Sequence, residues 1–472
     1  MTGPHHTLSA IEVSELIRDG ALSPIALTAE MLGRINKLDD DLHSYVTVME
    51  DRALKQAECL ENELAMGEWR GPLHGVPIAL KDIFYTKDVE TSCGTKFLQG
   101  WIPDYDATVV TRLEKAGAIL LGKLVMGEAA YLPHPDLPKA VHPWHNEYWP
   151  GASSSGSGVA CAAGLCFGSL GTDTGGSIRY PSSVCGIVGM KPTWGRISRH
   201  GVFPFADTLD HVGPMARTVE DAAILFDAIA GPDPNDPATL DLRDAFDAPP
   251  VQRGASTRGL RIGADRRLVE GVADADVNRV FSQTLEAFQS MGHSIVDVSL
   301  PDCDAGLAAF GTITSTEAAT VHGTLVAKHG ADYGPILREV VYAGLAVAGT
   351  DYAKALRVRR EYQRLYAQLF AGCDVLLVPV SPDAVQTNAA FEADAVNPER
   401  ALRVAYFAAQ FNLTGLPCLT VPAGFAGEGL PFGLQLVGPA LEEQRLFDLG
   451  MAFQQFRVGA ETAGAIHARP AC

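Results

Sequence analysis

Short, unbroken apolar runs alternate through this chain with stretches of helical periodicity, and this alternation constrains the fold more than any other feature. Val76–Leu80 carries no polar side chain. Ala118–Gly122 follows a helical stretch at Thr108–Ala116. Leu260–Gly263 and Ser294–Val298 bracket a helical pattern over Asp276–Met291, and Asp374–Val380 and Pro417–Pro422 continue the series. A strand that is apolar at every position is buried on both faces, as in a sheet covered by helices on either side. Helix boundaries are also legible. Ser9 with Glu12 is a capping-box signature ended by Gly20, Ser23-Pro24 opens a second helix, and Ala53, Ala57, Leu60 and Leu64 mark a third. The expectation is one α/β domain over residues 1–472, with the Pro/Asp-rich stretch 231–254 as a connector between halves.

Bulk properties limit the partners. With 56 acidic against 37 basic residues and a formal net charge of −19, the surface repels nucleic acid and anionic membranes. The start of the chain lacks the basic cluster and apolar run of a secretory signal, and no stretch reaches membrane-spanning length, so a cytoplasmic protein is expected. Nine scattered cysteines without a CxxC pair are expected to be free, mostly buried thiols.

Three elements could build one site: Lys81 at the end of its apolar strand, the cluster Ser153-Ser154-Ser155, and Ser177 after Thr174-Gly175-Gly176. Consecutive glycines let backbone N–H groups converge on an oxyanion formed when the next side chain attacks a carbonyl. A serine hydroxyl needs a base, yet no histidine lies in either Gly/Ser run and neither serine occupies a Gly-x-Ser-x-Gly elbow. A lysine desolvated by the VPIAL strand could serve as a neutral base. The residues alone leave open a solvated or salt-bridged Lys81 beside two plain turns. His134, His142 and His145 sit in the proline-rich loop 131–151, which offers no rigid metal-ligand spacing, and GTDTGGS lacks the lysine of a phosphate-binding loop. No metal and no cofactor are expected.

The run GASSSGSGVACAAGLCFGSLGTDTGGSIRYPSSVCGIVGMKPTWGRIS, Gly151 to Ser198, closely resembles the signature of the amidase signature family. That family includes fatty-acid amide hydrolase, many bacterial amidases and the A subunit of glutamyl-tRNA amidotransferase. GPLHGVPIALKDIF around Lys81, TLDHVGPMARTVEDAA, FNLTGLPCLTVPAGF and LPFGLQLVG extend the resemblance over nearly the whole chain. It implies a single large domain with a mixed, twisted sheet covered by helices on both faces. It assigns Ser177 as the acylated nucleophile, Ser153 as the bridging serine and Lys81 as the base, with backbone N–H groups of Thr174, Gly175, Gly176 and Ser177 forming the oxyanion hole. Asp173 and Arg179 are read as a buried ion pair supporting the turn, and Ser154 as either a relay member or a turn support. Ala130, Tyr131 and Leu132 lie where family members contact the acyl group, and Trp144 or Trp149 could line the entrance. The family's bridging serine follows a cis peptide bond, so the Ala152–Ser153 bond is expected to be cis. Two motifs depart from the pattern: Ala152 replaces a glycine and His142 an asparagine.

The reaction implied is hydrolysis of a small-molecule amide, neutral and aryl or arylalkyl in kind. Carbamate, urea or ester hydrolysis and the role of the amidotransferase component are the alternatives. Apolar residues around ILREVVYAGLAVAG and RVAYFAAQFNLTG argue against glutamine. Homodimerisation stays open.

Overall fold

The computed structural model describes residues 4–241, 257, 259–397 and 400–460. Its strands are β1 (Tyr45–Val48), β2 (Pro77–Lys81), β3 (Ile119–Leu124), β4 (Gly168–Asp173), β5 (Val188–Lys191), β6 (His211–Ala216), β7 (Arg261–Ala264), β8 (Ser294–Asp297), β9 (Val375–Pro379), β10 (Cys418–Ala426) and β11 (Leu430–Val437). All eleven join one sheet in the order β1-β3-β2-β4-β6-β5-β10-β11-β9-β7-β8. The sheet is mixed. β3, β2 and β4 run parallel, the middle from β4 to β9 is antiparallel, and β9, β7 and β8 are again parallel. β2, β3, β4, β5, β6, β9 and β11 are buried at every residue, as continuous apolar runs require.

The expected βαβ unit is present: β7 and β8 pair in parallel, Ile262 opposite Ile295, around helix Ala275–Ser290. Ser9 and Glu12 form the reciprocal capping box, and Ser23 caps the helix that begins at Pro24. The strand read at Pro417–Pro422 runs on to Ala426, because LPFGLQLV folds back on it as a long hairpin from Cys418↔Val437 to Ala426↔Leu430. Residues 242–254 of the expected connector lie outside the described residues. Its first part is tied to the first half, where Asp233 accepts from Thr108 Oγ1 and Ser198 Oγ, each at 2.5 Å. Among the described residues eight cysteines are free, all buried except Cys59. No helix among them is long and apolar enough to cross a membrane.

Two features of this architecture set the site. Lys81 is the last residue of β2, one strand from the carboxyl end of β4, which leads into the Gly-rich turn. The serine cluster precedes helix Ser155–Ala162, whose first turn presses on the end of β3. There Gly156 donates its N–H to Val125 O at 3.0 Å, and a β-carbon would lie 2.5 Å from that oxygen and 2.6 Å from Ser44 O, so only glycine permits the approach.

Candidate active site

The three sequence-derived elements converge. Lys81 Nζ lies 2.8 Å from Ser153 Oγ, 3.0 Å from Ser154 Oγ and 2.7 Å from Thr172 Oγ1. Among the described residues no carboxylate is within ion-pairing distance of it. Burial pulls its pKa down to about 7, against weaker opposing fields from Asp173 and Asp210. Near neutral pH a large share of this lysine is therefore an uncharged amine. Ser177 Oγ accepts from the backbone N–H of Ser153 at 3.3 Å, which sets the nucleophile beside the serine cluster. Ser177 is 9% exposed against 0% for Lys81 and 1% for Ser153, so the outermost group of the three is the hydroxyl that would meet a substrate.

The turn carrying Ser177 is held from behind. Asp173 and Arg179 are both fully buried and pair at 2.9 Å. Burial alone would raise the Asp173 carboxyl, but the Arg179 guanidinium holds it well below the usual range. The carboxylate also accepts from the N–H groups of Gly176 at 2.8 Å and Ile178 at 3.1 Å. The residues expected as oxyanion donors differ in what their N–H groups meet. Gly176, at φ +121°, turns its N–H toward Asp173, while the N–H groups of Thr174, Gly175 and Ser177 make no hydrogen bond among the described residues. The Ala152–Ser153 bond is a correction, since the described residues contain no cis peptide. With this bond trans, Ser153 Oγ lies 2.8 Å from Lys81 Nζ.

Ser154 touches both the lysine and the strand that leads into the turn. Its hydroxyl meets Lys81, donates to Thr172 O at 3.1 Å and accepts from Thr172 N at 3.3 Å. Ala130, Tyr131 and Leu132 do not share one surface. Ala130 lines a cavity of about 180 Å³ that also reaches Thr172, Leu132 lines a second cavity of about 310 Å³, and Tyr131 packs on Phe205. Trp149 is in the wall of the second cavity, whereas Trp144 ties its indole N–H to Cys185 O at 3.1 Å. His142 faces Val184 O at 3.1 Å, and among the described residues no group of three or more His, Cys, Asp or Glu is arranged to hold a metal ion.

Several residues escaped the sequence reading. Thr172, within the GTDTGGS run, is the nearest partner of Lys81, a contact the sequence reading did not assign to it. Asn412 accepts from Arg179 at 2.6 Å and donates to Asp173 at 2.9 Å, and Gln435 accepts from Arg179 at 2.9 Å, so the second half of the chain clamps the turn. Phe310 stands against Gly175, where a β-carbon would come within 2.6 Å of its ring, and Ala408 stands 3.1 Å from the same point on Gly176. The FNLTG and LPFGLQLVG blocks held the signal for Asn412 and Gln435. Phe310 lies in a helix with no motif.

Comparison with known proteins agrees with this architecture. The family model named Amidase matches residues 26–447. A Mycobacterium tuberculosis protein named "Putative amidase AmiD" is 42% identical over 95% of this chain and 94% of its own. The A subunit of the glutamyl-tRNA(Gln) amidotransferase of Anaeromyxobacter dehalogenans is 39% identical over 92% and 93%. The peptide amidase PAM, solved with the competitive inhibitor chymostatin, superposes with a TM-score of 0.82 at 30% identity, covering 97% of this chain and 99% of that one. The chain belongs to the Amidase family and is a hydrolase that acts on amides.

Proposed function

We propose that this enzyme hydrolyses neutral, largely apolar amides in the cytosol through an acyl-enzyme on Ser177. The observation that carries the mechanism is a buried lysine with three hydroxyl partners and no carboxylate in ion-pairing reach. The neutral Lys81 amine takes the Ser153 proton as Ser153 takes that of Ser177, and Ser177 Oγ attacks the amide carbon. The tetrahedral oxyanion is met by the unengaged N–H groups of the Thr174–Ser177 turn, each worth about 10²–10³ in rate in sites of this kind. Collapse expels the amine, which receives the proton back along the same relay. Water then adds to the ester by the reverse proton path, and the carboxylic acid leaves.

Aryl or arylalkyl character is supported by the apolar groups beside the nucleophile's turn, Phe310 against Gly175 and Ala408 against Gly176, both from the second half of the chain. Arginines in the segments weighed for glutamine recognition are engaged elsewhere: Arg403 grips Asp383 at 2.7 and 2.9 Å, and Arg338 donates to Gly330 O at 3.2 Å. The test is labelling by a fluorophosphonate probe, followed by kcat/KM on benzamides, acetanilides, amino-acid amides, glutamine, carbamates and esters. Label on Ser177 and highest kcat/KM on an aryl amide are expected. Glutamine as best substrate overturns the substrate class, and label on another residue overturns the mechanism.

A further inference from the structure

The cavity of about 310 Å³ beyond Leu132 is not used by the mechanism above, and its chemistry is uneven. Its walls are apolar: Met126, Leu132, Ile336 and Leu337 face it, with Trp149 stacked on Phe391 at 3.6 Å between ring centroids. Into this lining intrudes one buried carboxylate, Glu128, 1% exposed. A carboxylate has about four acceptor positions. Glu128 fills few of them: both oxygens share the single N–H of Gly334, at 3.0 and 3.1 Å. The contact is close: a β-carbon at Gly334 would sit 2.6 Å from Oε2, so a larger residue there would displace the Glu128 side chain. The nearest cation acting on Glu128 is Lys96, whose ammonium is bonded to Asp136, and at the rim Lys139 is paired with Glu392 at 3.1 Å. Burial pushes the Glu128 carboxyl up to about 7, as expected of an acid short of partners.

The cavity volume falls within the range of small-molecule sites, and an apolar lining with one buried polar anchor is how such sites select a ligand. The geometry points to a binding site, separate from the Ser177 centre, for a small apolar molecule carrying one protonated amine, its ammonium on Glu128 and its body against Trp149 and Phe391. The site is coupled to the catalytic cluster through one turn. Glu128 N–H donates to Leu132 O at 3.0 Å, Gly127 N–H to Ser153 O at 3.0 Å, and between them Ala129 and Ala130 are both held at left-handed φ of 43° and 66°. An occupant of the cavity therefore presses on the strand of contacts that positions Ser153.

The probe is phenethylamine, with 2-phenylethanol as its neutral counterpart, titrated calorimetrically into the intact enzyme. The amine is expected to bind at least about tenfold more tightly than the alcohol. Glu128→Gln should erase that preference, and Ile336→Trp, which fills the cavity without touching Glu128, should weaken the amine by about tenfold or more. Folding of each variant is checked by circular dichroism. If Glu128→Gln does not fold, the amine/alcohol ratio and Ile336→Trp still decide. Equal affinity for amine and alcohol, or unchanged binding in a folded variant, overturns the site. Inhibition of amide hydrolysis by the amine reports how the occupied cavity acts on the Ser177 centre: a mixed pattern that Glu128→Gln removes supports the separate site, and a purely competitive pattern that survives Glu128→Gln places the amine at the Ser177 centre and overturns it. The readout is binding, so it stands or falls independently of the Ser177 mechanism.

Discussion

Two lysines end neighbouring strands of the same sheet, both fully buried, and the chain treats them in opposite ways. Lys81 closes β2 and Lys123 lies near the end of β3, with Leu80 opposite Lys123 and Lys81 opposite Leu124 in the parallel register. Lys123 has a carboxylate, Asp82 Oδ1, at 3.0 Å, and adds Phe84 O at 2.9 Å and Thr91 Oγ1 at 2.7 Å. Lys81 has only hydroxyls. Asp82 is its immediate neighbour in sequence, yet strand alternation aims that carboxylate at the other lysine and at Ser92. Equal burial thus yields an ion pair in one place and a titratable amine in the other, and the position of one carboxylate makes the difference.

The largest effects should come from breaking the hydroxyl side of this comparison. Ser177→Ala is expected to abolish measurable turnover, and Lys81→Ala and Ser153→Ala each to lower kcat/KM by roughly 10³-fold or more, because each removes a member of the proposed relay. Members of one relay are not additive, so Lys81→Ala/Ser153→Ala should be little slower than the worse single variant. A double variant slowed by the product of the two losses would separate Ser153 from Lys81.

Breaking the carboxylate side should read out in stability. Asp82→Asn leaves Lys123 buried without its counter-charge, and a loss of about 3–5 kcal/mol is expected from denaturant unfolding. Lys81→Met should behave differently. The folded pKa of Lys81 is depressed, so above about pH 7 the unfolded chain binds more protons than the folded one, and stability rises with pH by up to about 1.4 kcal/mol per unit toward 10.5. Lys81→Met lacks that slope. The difference in stability between wild type and Lys81→Met, measured at about pH 7 and about pH 9, should therefore shift in favour of wild type at the higher pH. A constant difference would mean that Lys81 is charged in the fold.

The sequence made the strands, the capping box and the Lys81, Ser153 and Ser177 cluster legible because each rests on local pattern: apolar runs, Ser/Glu spacing, and an ordered set of motifs. What it hid depends on contacts between distant segments. Thr172 is an ordinary strand residue until β4 lies beside β2. Asn412 and Gln435 reach Arg179 across more than two hundred positions of chain. Phe310 belongs to the long helix Cys303–His329, whose periodicity does not say which residue overhangs the Gly-rich turn. The bonding of the turn was hidden for a related reason: a run of glycines permits N–H groups to converge but does not say which one a neighbouring carboxylate will take, and Asp173 takes that of Gly176.

The smallest effect tests the comparison most finely. Ser154 spends its proton on Thr172 O, so it can only accept from Lys81. A neutral amine offers two N–H groups and one lone pair, so one of the two remaining hydroxyls, Ser153 or Thr172, must donate to it. Once Lys81 gains the relay proton, its three N–H groups match the three oxygens of Ser153, Ser154 and Thr172, and Thr172 becomes a stabiliser of the charged form. A hydrogen bond to a charged group exceeds a neutral one by about 1 kcal/mol. Thr172→Val should then do two things at once. It lowers the plateau of kcat/KM by about tenfold or less, since the ammonium formed during attack loses an acceptor. It also moves the rising limb of the pH profile from about 7 to lower pH, by up to about one unit, because the resting ammonium is weakened in the same way. A lower plateau with an unmoved limb would mean that Thr172 acts on the shape of the site rather than on the charge of Lys81, and a limb displaced to higher pH would contradict the proposal that its hydroxyl partners fit this lysine, and not Lys123, to act as the base.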